Sequence, residues 1–499
     1  GTIVTYLSPD IDGNIAVWIE RSMRHTPTGA DWSYLIEARD LDTDASVIVA
    51  TSQPNEAFQD VTVLGDWVVW RSSDSSTTRL IARDIVGMAE PVEIAAATRG
   101  ADFDSPPPLS APILDNGFVY WSAIVSGDDP ANPAVAIVRR DLGSADGPEV
   151  IGTTAGAAPI GFDVEDDVVV YAVPLADPEP RVLATQVVDV AAGTSRTVVM
   201  RHWAASTTGD IATDGRYVYR GWITRLGGST CCDVQTQAYD LLTDSYFPVI
   251  DSGSIALDTE DGVIAWTSGI GGRGGMSVHA TTIANRLPTA PRLDTRAPDP
   301  AYTYFPVTNH YLGYGFKGFW EGSGGLSVFG YPLTEEYIER NRDTGVDYTV
   351  QWFERQRFEW HPENEGTPYQ VLLGRLGYED AAARGLLDSP PFAPLLVDAV
   401  PPGCVLEMVT SHSVCEPFRS HWSSRGLDLG DPGISYRESL ALFGYPLSEA
   451  FTDPETGLVI QYFERAIFEH HPGNAGTEYE VLLRRVGAHE LVRRGWRVE

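Results

Sequence analysis

The chain has 499 residues and a net charge of −34, from 69 Asp and Glu against 35 Lys and Arg, with 43% hydrophobic and 21% charged residues. That composition fits about three packed domains and excludes wholesale disorder. It excludes nucleic acid as a partner, since phosphate recognition needs a basic surface, and no apolar run is long enough for membrane insertion by a helix.

From its first residue, Gly1, the chain shows no charged-then-apolar leader and reads as a processed or trimmed form whose signal peptide, if any, has been removed. One phrase then recurs six times: a turn of Asp, Gly or Asn, followed by an apolar run ending on an aromatic. The closing aromatics are Trp18, Trp70, Trp121, Tyr171, Tyr219 and Trp266, spaced 52, 51, 50, 48 and 47 residues apart. A second phrase follows each copy, as in Leu35–Leu41, Leu80–Ile85 and Ala136–Leu142. Positive-φ turn residues and β-branched runs predict tight hairpins. Fifty residues hold four short strands, and such a sheet is stable only when neighbours cover both its faces.

The reading is mainly β: a six-bladed β-propeller over residues 1–290, closed by the N-terminal strand Gly1–Leu7 joining the last blade. The six phrases resemble the TolB-like six-bladed propellers of secreted bacterial proteins, a resemblance that bears on fold.

Residues 291–302 follow as a Pro-rich linker. Beyond it the chain repeats again, as a smaller α+β tandem over 303–390 and 396–499. Phe329-Gly330-Tyr331-Pro332-Leu333 returns as Phe443-Gly444-Tyr445-Pro446-Leu447. Gln351–Arg355 returns as Gln461–Arg465, and Phe358–Pro362 as Phe468–Pro472. Each copy predicts a short helix, the Phe-Gly-Tyr-Pro turn, a hairpin and a closing helix near Ala381–Leu387 or His489–Arg494. The pattern resembles the LGFP-type repeats of bacterial cell-wall-associated proteins, which implies attachment to an envelope glycan.

Side chains with chemical potential are few. Glu354, Glu359 and His361 recur as Glu464, Glu469 and His471, and such repetition points to turns and ion pairs rather than catalysis. Asp40, Asp42 and Asp44, with Asp240 and Asp244, alternate like calcium ligands but lack the Gly and Glu of an EF-hand. Calcium is therefore the one cofactor left open, and no other metal or cofactor is expected. His25, His202 and His279 are scattered one per blade, and no nucleophile elbow, HExxH or P-loop occurs. No catalytic residue is assigned. Trp320, Trp352, Trp360 and Trp422 are the expected ligand-binding residues, because sugar rings stack on flat aromatic faces.

Four cysteines allow three pairings. Short spacing favours Cys404–Cys415, closing a loop of about 12 residues worth roughly 2–3 kcal/mol. Cys231 and Cys232 are then a vicinal disulfide or two thiols, and an oxidising extracellular or cell-surface location follows. The function expected is a secreted, non-enzymatic surface-binding or scaffold protein, whose partner is an envelope glycan or another surface protein. The alternatives are a polysaccharide hydrolase or lyase working at the propeller channel, and a self-assembling subunit of an extracellular filament or coat.

Overall fold

Each aromatic-closing phrase forms the second strand of an antiparallel sheet, and each second phrase forms the third. In this computed structural model the described residues are 2–27, 29–98, 108–125, 134–154, 161–174, 183–200, 206–225, 233–250, 256–260, 262–269 and 276–498. They fall into two compact units, Gly1–Ala238 with Ile250–Thr281, and Tyr239–Val249 with Thr282–Glu499.

The first unit is a succession of meanders. Its first sheet runs Thr2–Asp12, Ile15–Thr26, Gly29–Asp40 and Ser46–Thr51 in spatial order. Later sheets open with Ala57–Leu64, Ile113–Asp115, Phe162–Glu165, Ser206–Thr213 and Ala256–Glu260, and each opening strand contacts the next. Turn chemistry sets the hairpins: Asn116 and Gly117 take φ of 48° and 81°, and Asp166 and Asp167 take 51° and 62°. The Asp ending a third strand caps its own turn. Asp40 Oδ1 accepts from the amides of Asp42 and Thr43, Asp84 from Val86 and Gly87, and Asp240 from Leu242.

Apolar clusters form between consecutive sheets. One joins Val17, Ile36 and Val49 to Phe58, Val63 and Trp70, and the next joins Val69 and Leu80 to Val119 and Trp121. Opening-strand carboxylates reach the following sheet at the repeat spacing. Asp10 accepts from Val63 N at 2.9 Å, Asp115 from Asp167 N at 3.1 Å, and Asp163 from Thr213 N at 2.8 Å. Facing first strands and cores between sheets are the packing of a β-propeller.

Closure by the N-terminal strand is not what forms. Thr2–Asp12 pairs with Ile15–Thr26, from Thr2 opposite Arg24 to Asp12 opposite Ile15. The sheet of Ala256–Glu260, Val263–Gly269 and Met276–Thr282 has three described strands and takes none from the N-terminus. The Asp12-Gly13 turn folds the first strand directly onto its neighbour, a local pairing whose loop-closure cost is far below that of reaching the last sheet.

The second unit contains two copies of one design. Its helices are α1 (Tyr314–Gly322), α2 (Gly325–Val328), α3 (Leu376–Ala383), α4 (Phe418–Ser423), α5 (Tyr436–Phe443) and α6 (Val486–Arg493). The first copy's sheet runs Tyr337–Arg340, Asp347–Trp352, Arg357–Trp360 and Val371–Leu373; the second runs Phe451–Thr452, Val459–Tyr462, Ile467–His470 and Val481–Leu483. Ser245 and Tyr246 extend the first sheet by pairing with Glu339 and Ile338. A single aromatic core, including Phe329, Phe353 and Phe358 with Phe443, Phe463 and Phe468, joins the two copies.

Candidate functional site

The closing helix of each copy docks on the sheet of the other. Gly377 at the start of α3 lies so near the second copy that an added Cβ would stand 1.9 Å from Phe463 O. Gly487 at the start of α6 repeats this against Phe353 O, at 2.1 Å. Tyr378 N donates to Glu464 O, and Ala488 N to Glu354 O, both at 3.1 Å. At the far end Arg384 donates to Tyr462 Oη at 2.9 Å, while Arg494 donates to Glu339 Oε2 at 2.9 Å and stacks over Trp352. The exchange is reciprocal, residue for residue.

Under each helix lies a buried carboxylate pair with a guanidinium between. In the first copy Arg357 binds Glu339, Glu359 and Glu379 at 3.2, 2.6 and 2.8 Å. In the second, Arg484 binds Asp453 at 2.6 Å and Glu469 at 2.5 Å. The two arginines stand at different places in the repeat. Ile467 occupies the position of Arg357, and Gly374 that of Arg484. An added Cβ on Gly374 would meet the Arg357 guanidinium at 3.0 Å, so one arginine excludes the other. Burial would raise the pKa of Glu339, but Arg494 and Arg357 overcome it and hold the carboxyl at about 2. Glu359 behaves alike: burial opposes Arg357 and His361, which bring it to about 2. A framework needed by both copies explains these repeated acids and their histidines: His361 Nε2 lies 3.5 Å from Glu359, as His471 Nε2 lies 3.5 Å from Glu469.

Where the copies differ, a cleft opens. The first hairpin is four residues longer, and its tip (Arg342, Asp343) walls a cleft of about 490 Å³ over Gly374, Arg375 and Tyr378. A second cleft of about 290 Å³, lined by Tyr369, Leu427, Leu429 and Leu440, shares Leu372, Leu373 and Arg465 with the first. Arg465 and Arg375 both turn to one carboxylate, Glu464, at 3.6 and 3.3 Å. Arg375 is also held by Asp343 at 3.2 Å and stacks on Tyr378. Burial lowers the pKa of Arg465; Glu464 opposes this and the like charge of Arg375 adds to it. Its counterpart Arg355 donates to Leu483 O and Leu326 O, both at 3.3 Å, whereas the guanidinium of Arg465 makes no hydrogen bond among the described residues. A protein of strong negative charge thus sets two arginines, matched by Glu464 and Asp343, beside an apolar cleft.

The residues expected from sequence are dispersed. Trp352 is fully buried with Nε1 donating to Glu339 at 3.2 Å, so it offers no face to a ligand. Trp320 and Trp422 are half-buried and donate to the carbonyls of Gly330 and Gly444, tying helix to turn in each copy. Trp360 is half-buried against Phe316. Cys404 and Cys415 form a disulfide; Cys231, Cys232 and His202 lie outside the described residues. His279 stacks on Trp266. Asp44 pairs with Arg39, and Asp244 accepts from Tyr239 Oη at 2.8 Å, so these acids serve turns; the described residues bring no three metal-ligand side chains together. Arg465, Arg375 and Gly374 escaped the sequence reading. Only Gly374, against Arg484, departs between the copies; Arg465 and Arg375 recur as Arg355 and Arg485, which meet Glu354 in the same way.

No protein-family model matches the chain, and neither does any curated protein. Among solved structures it is similar to the β-propeller domain of the Trilobed protease from Pyrococcus furiosus, described as having an open velcro topology. That likeness has a TM-score of 0.41 and 10% identity over 71% of this chain and 97% of that one. It is similar also to an acylaminoacyl peptidase (TM-score 0.39, 9% identity, 74% of this chain and 52% of that one). A third is a puromycin-hydrolyzing peptidase of Mycobacterium tuberculosis (0.34, 12%, 70% and 57%). The chain therefore spans little more than half the length of the two whole peptidases. Such likenesses bear on fold alone. They correct the expectation of a non-enzymatic surface-binding or scaffold protein, since the propellers found belong to peptidases; its polysaccharide-cleaving and filament alternatives are not taken up.

Proposed function

We propose that the second unit is the ligand-recognising part of the chain and that its cleft takes an acidic peptide. The peptide carboxylate meets Arg465 in place of its long 3.6 Å contact with Glu464, and a neighbouring apolar side chain enters the cleft lined by Leu427 and Leu440. Arg465 carries this reading: its partly buried guanidinium makes no hydrogen bond among the described residues, is ion-paired with Glu464 only at 3.6 Å, and stands at the wall shared by a polar and an apolar cleft. Arginine suits a planar carboxylate because its fork presents paired donors. The apolar cleft adds specificity, since an unfilled hydrophobic surface gains from any side chain that covers it.

Titration of the full chain with a fluorescein-labelled peptide bearing Leu-Glu tests the reading. R465A is expected to weaken binding about tenfold or more, and replacing Glu by Gln in the peptide should do the same. Equal affinity for both peptides, or for wild type and R465A, overturns it. Six blades, and likeness to the TolB-like and LGFP-type families, stay proposals resting on the sequence phrases. An extracytoplasmic location is likewise proposed, supported by the Cys404–Cys415 disulfide.

A further inference from the structure

A second recess of the same unit, of about 210 Å³, is lined by Tyr314, Gly315, Phe316, Glu336, Thr349 and Trp360. We propose that it binds an organic ammonium group, methylated at nitrogen, held against the faces of Trp360 and Tyr314 and balanced by Glu336. Aromatic faces carry negative quadrupolar charge and attract such cations, and a nearby carboxylate supplies the counter-charge.

Three observations converge on this recess. Tyr314, 65% exposed as a residue, stands at φ 45°, a left-handed backbone that a bulky aromatic residue adopts only under strain. Its ring packs edge-on against Tyr302, with centroids 4.9 Å apart. Gly315 lets Trp360 lie against the main chain, since an added Cβ would stand 2.1 Å from its ring. Glu336, an exposed residue at the rim of the recess, makes no hydrogen bond or ion pair among the described residues. Glu335 is engaged, accepting from Tyr311 N at 3.1 Å beside His310. The nearest cation, Arg296, is stacked on Tyr302 and Tyr311 at 3.9 and 4.4 Å.

The second copy provides an internal control. Its structural residues persist, with Phe418 in the place of Phe316, but Glu416, Pro417, Ala450 and His470 replace Tyr314, Gly315, Glu336 and Trp360. A set needed only for packing would recur as the Phe does. The aromatic pair and the acid occur once, as binding residues do.

Calorimetric titration of the full chain with tetramethylammonium chloride, against potassium chloride at equal ionic strength, tests the proposal. Saturable binding is expected for tetramethylammonium alone. W360H and E336A, which install the second copy's own residues, should each weaken it about tenfold. Y314N guards against misfolding, because the left-handed backbone that Asn tolerates better offsets the lost ring contact with Tyr302; it should lose affinity with the melting temperature little changed. R465A should bind normally, so failure of the peptide reading and failure of this one are separable. Absence of saturation, or unchanged affinity in all three variants, overturns the proposal.

Discussion

At the scale of single residues, two kinds of buried carboxyl respond to pH in opposite directions. Burial, opposed by amides of Thr213 and Val164 and reinforced by Asp258 and Glu165, pushes Asp163 up from 3.8 to about 7. Between those values the folded chain keeps a proton that the unfolded chain releases. Stability is therefore lost as pH rises through that window. D163N should flatten this dependence and stabilise the protein at pH 8 by roughly 1–3 kcal/mol, read from urea denaturation at pH 5 and 8. An unchanged slope would mean Asp163 is ionised at little cost. Glu339 and Glu359 have the contrary sign: held at about 2 against an ordinary 4.5, they contribute in full above 4.5 and lose that contribution as pH falls towards 2.

At the scale of elements, α3 and α6 explain glycines that a sequence leaves mute. Gly377 and Gly487 are there because each helix starts against a main-chain carbonyl of the opposite copy. A methyl at either site forces the helix off its seat. G487A is expected to destabilise the second unit by about 2–4 kcal/mol, measured as a lowered denaturation midpoint, with G377A similar. The strands were legible because alternation, turn residues and spacing act locally; Asn116-Gly117 and Asp166-Asp167 mark their hairpins in one dimension. The reciprocal seating was not, because it depends on contacts over a hundred residues apart, as between Ala488 and Glu354. The N-terminal strand misled for a related reason. Its composition suits any sheet edge, and only the competition between near and far partners decides which.

At the scale of the whole molecule, two kinds of repetition serve different ends. In the first unit each sheet covers the next, so likeness among copies is itself the means of stability. In the second unit the copies share a framework, the Arg465 and Arg375 pair included, and the cleft at Gly374 with its longer hairpin and the recess at Tyr314 and Trp360 lie where they part. Sequence alone placed the framework residues in both copies and named four tryptophans for ligand binding, although core packing is the stronger reading for Trp320 and Trp352, and Trp352 is fully buried. What separates site from scaffold is the difference between the copies, and reading it needs the alignment in space.

The most direct test is to make the first copy resemble the second. R357I alone leaves Glu339 and Glu359 short of a buried cation and should cost about 3–5 kcal/mol. In R357I with G374R the guanidinium returns from the other strand, as Arg484 supplies it, and fills the floor of the cleft. Denaturation and Leu-Glu peptide titration of this double variant form the measurement. Recovery of most of the lost stability together with loss of peptide binding is the predicted result. A double variant that still binds the peptide as wild type does would contradict the account.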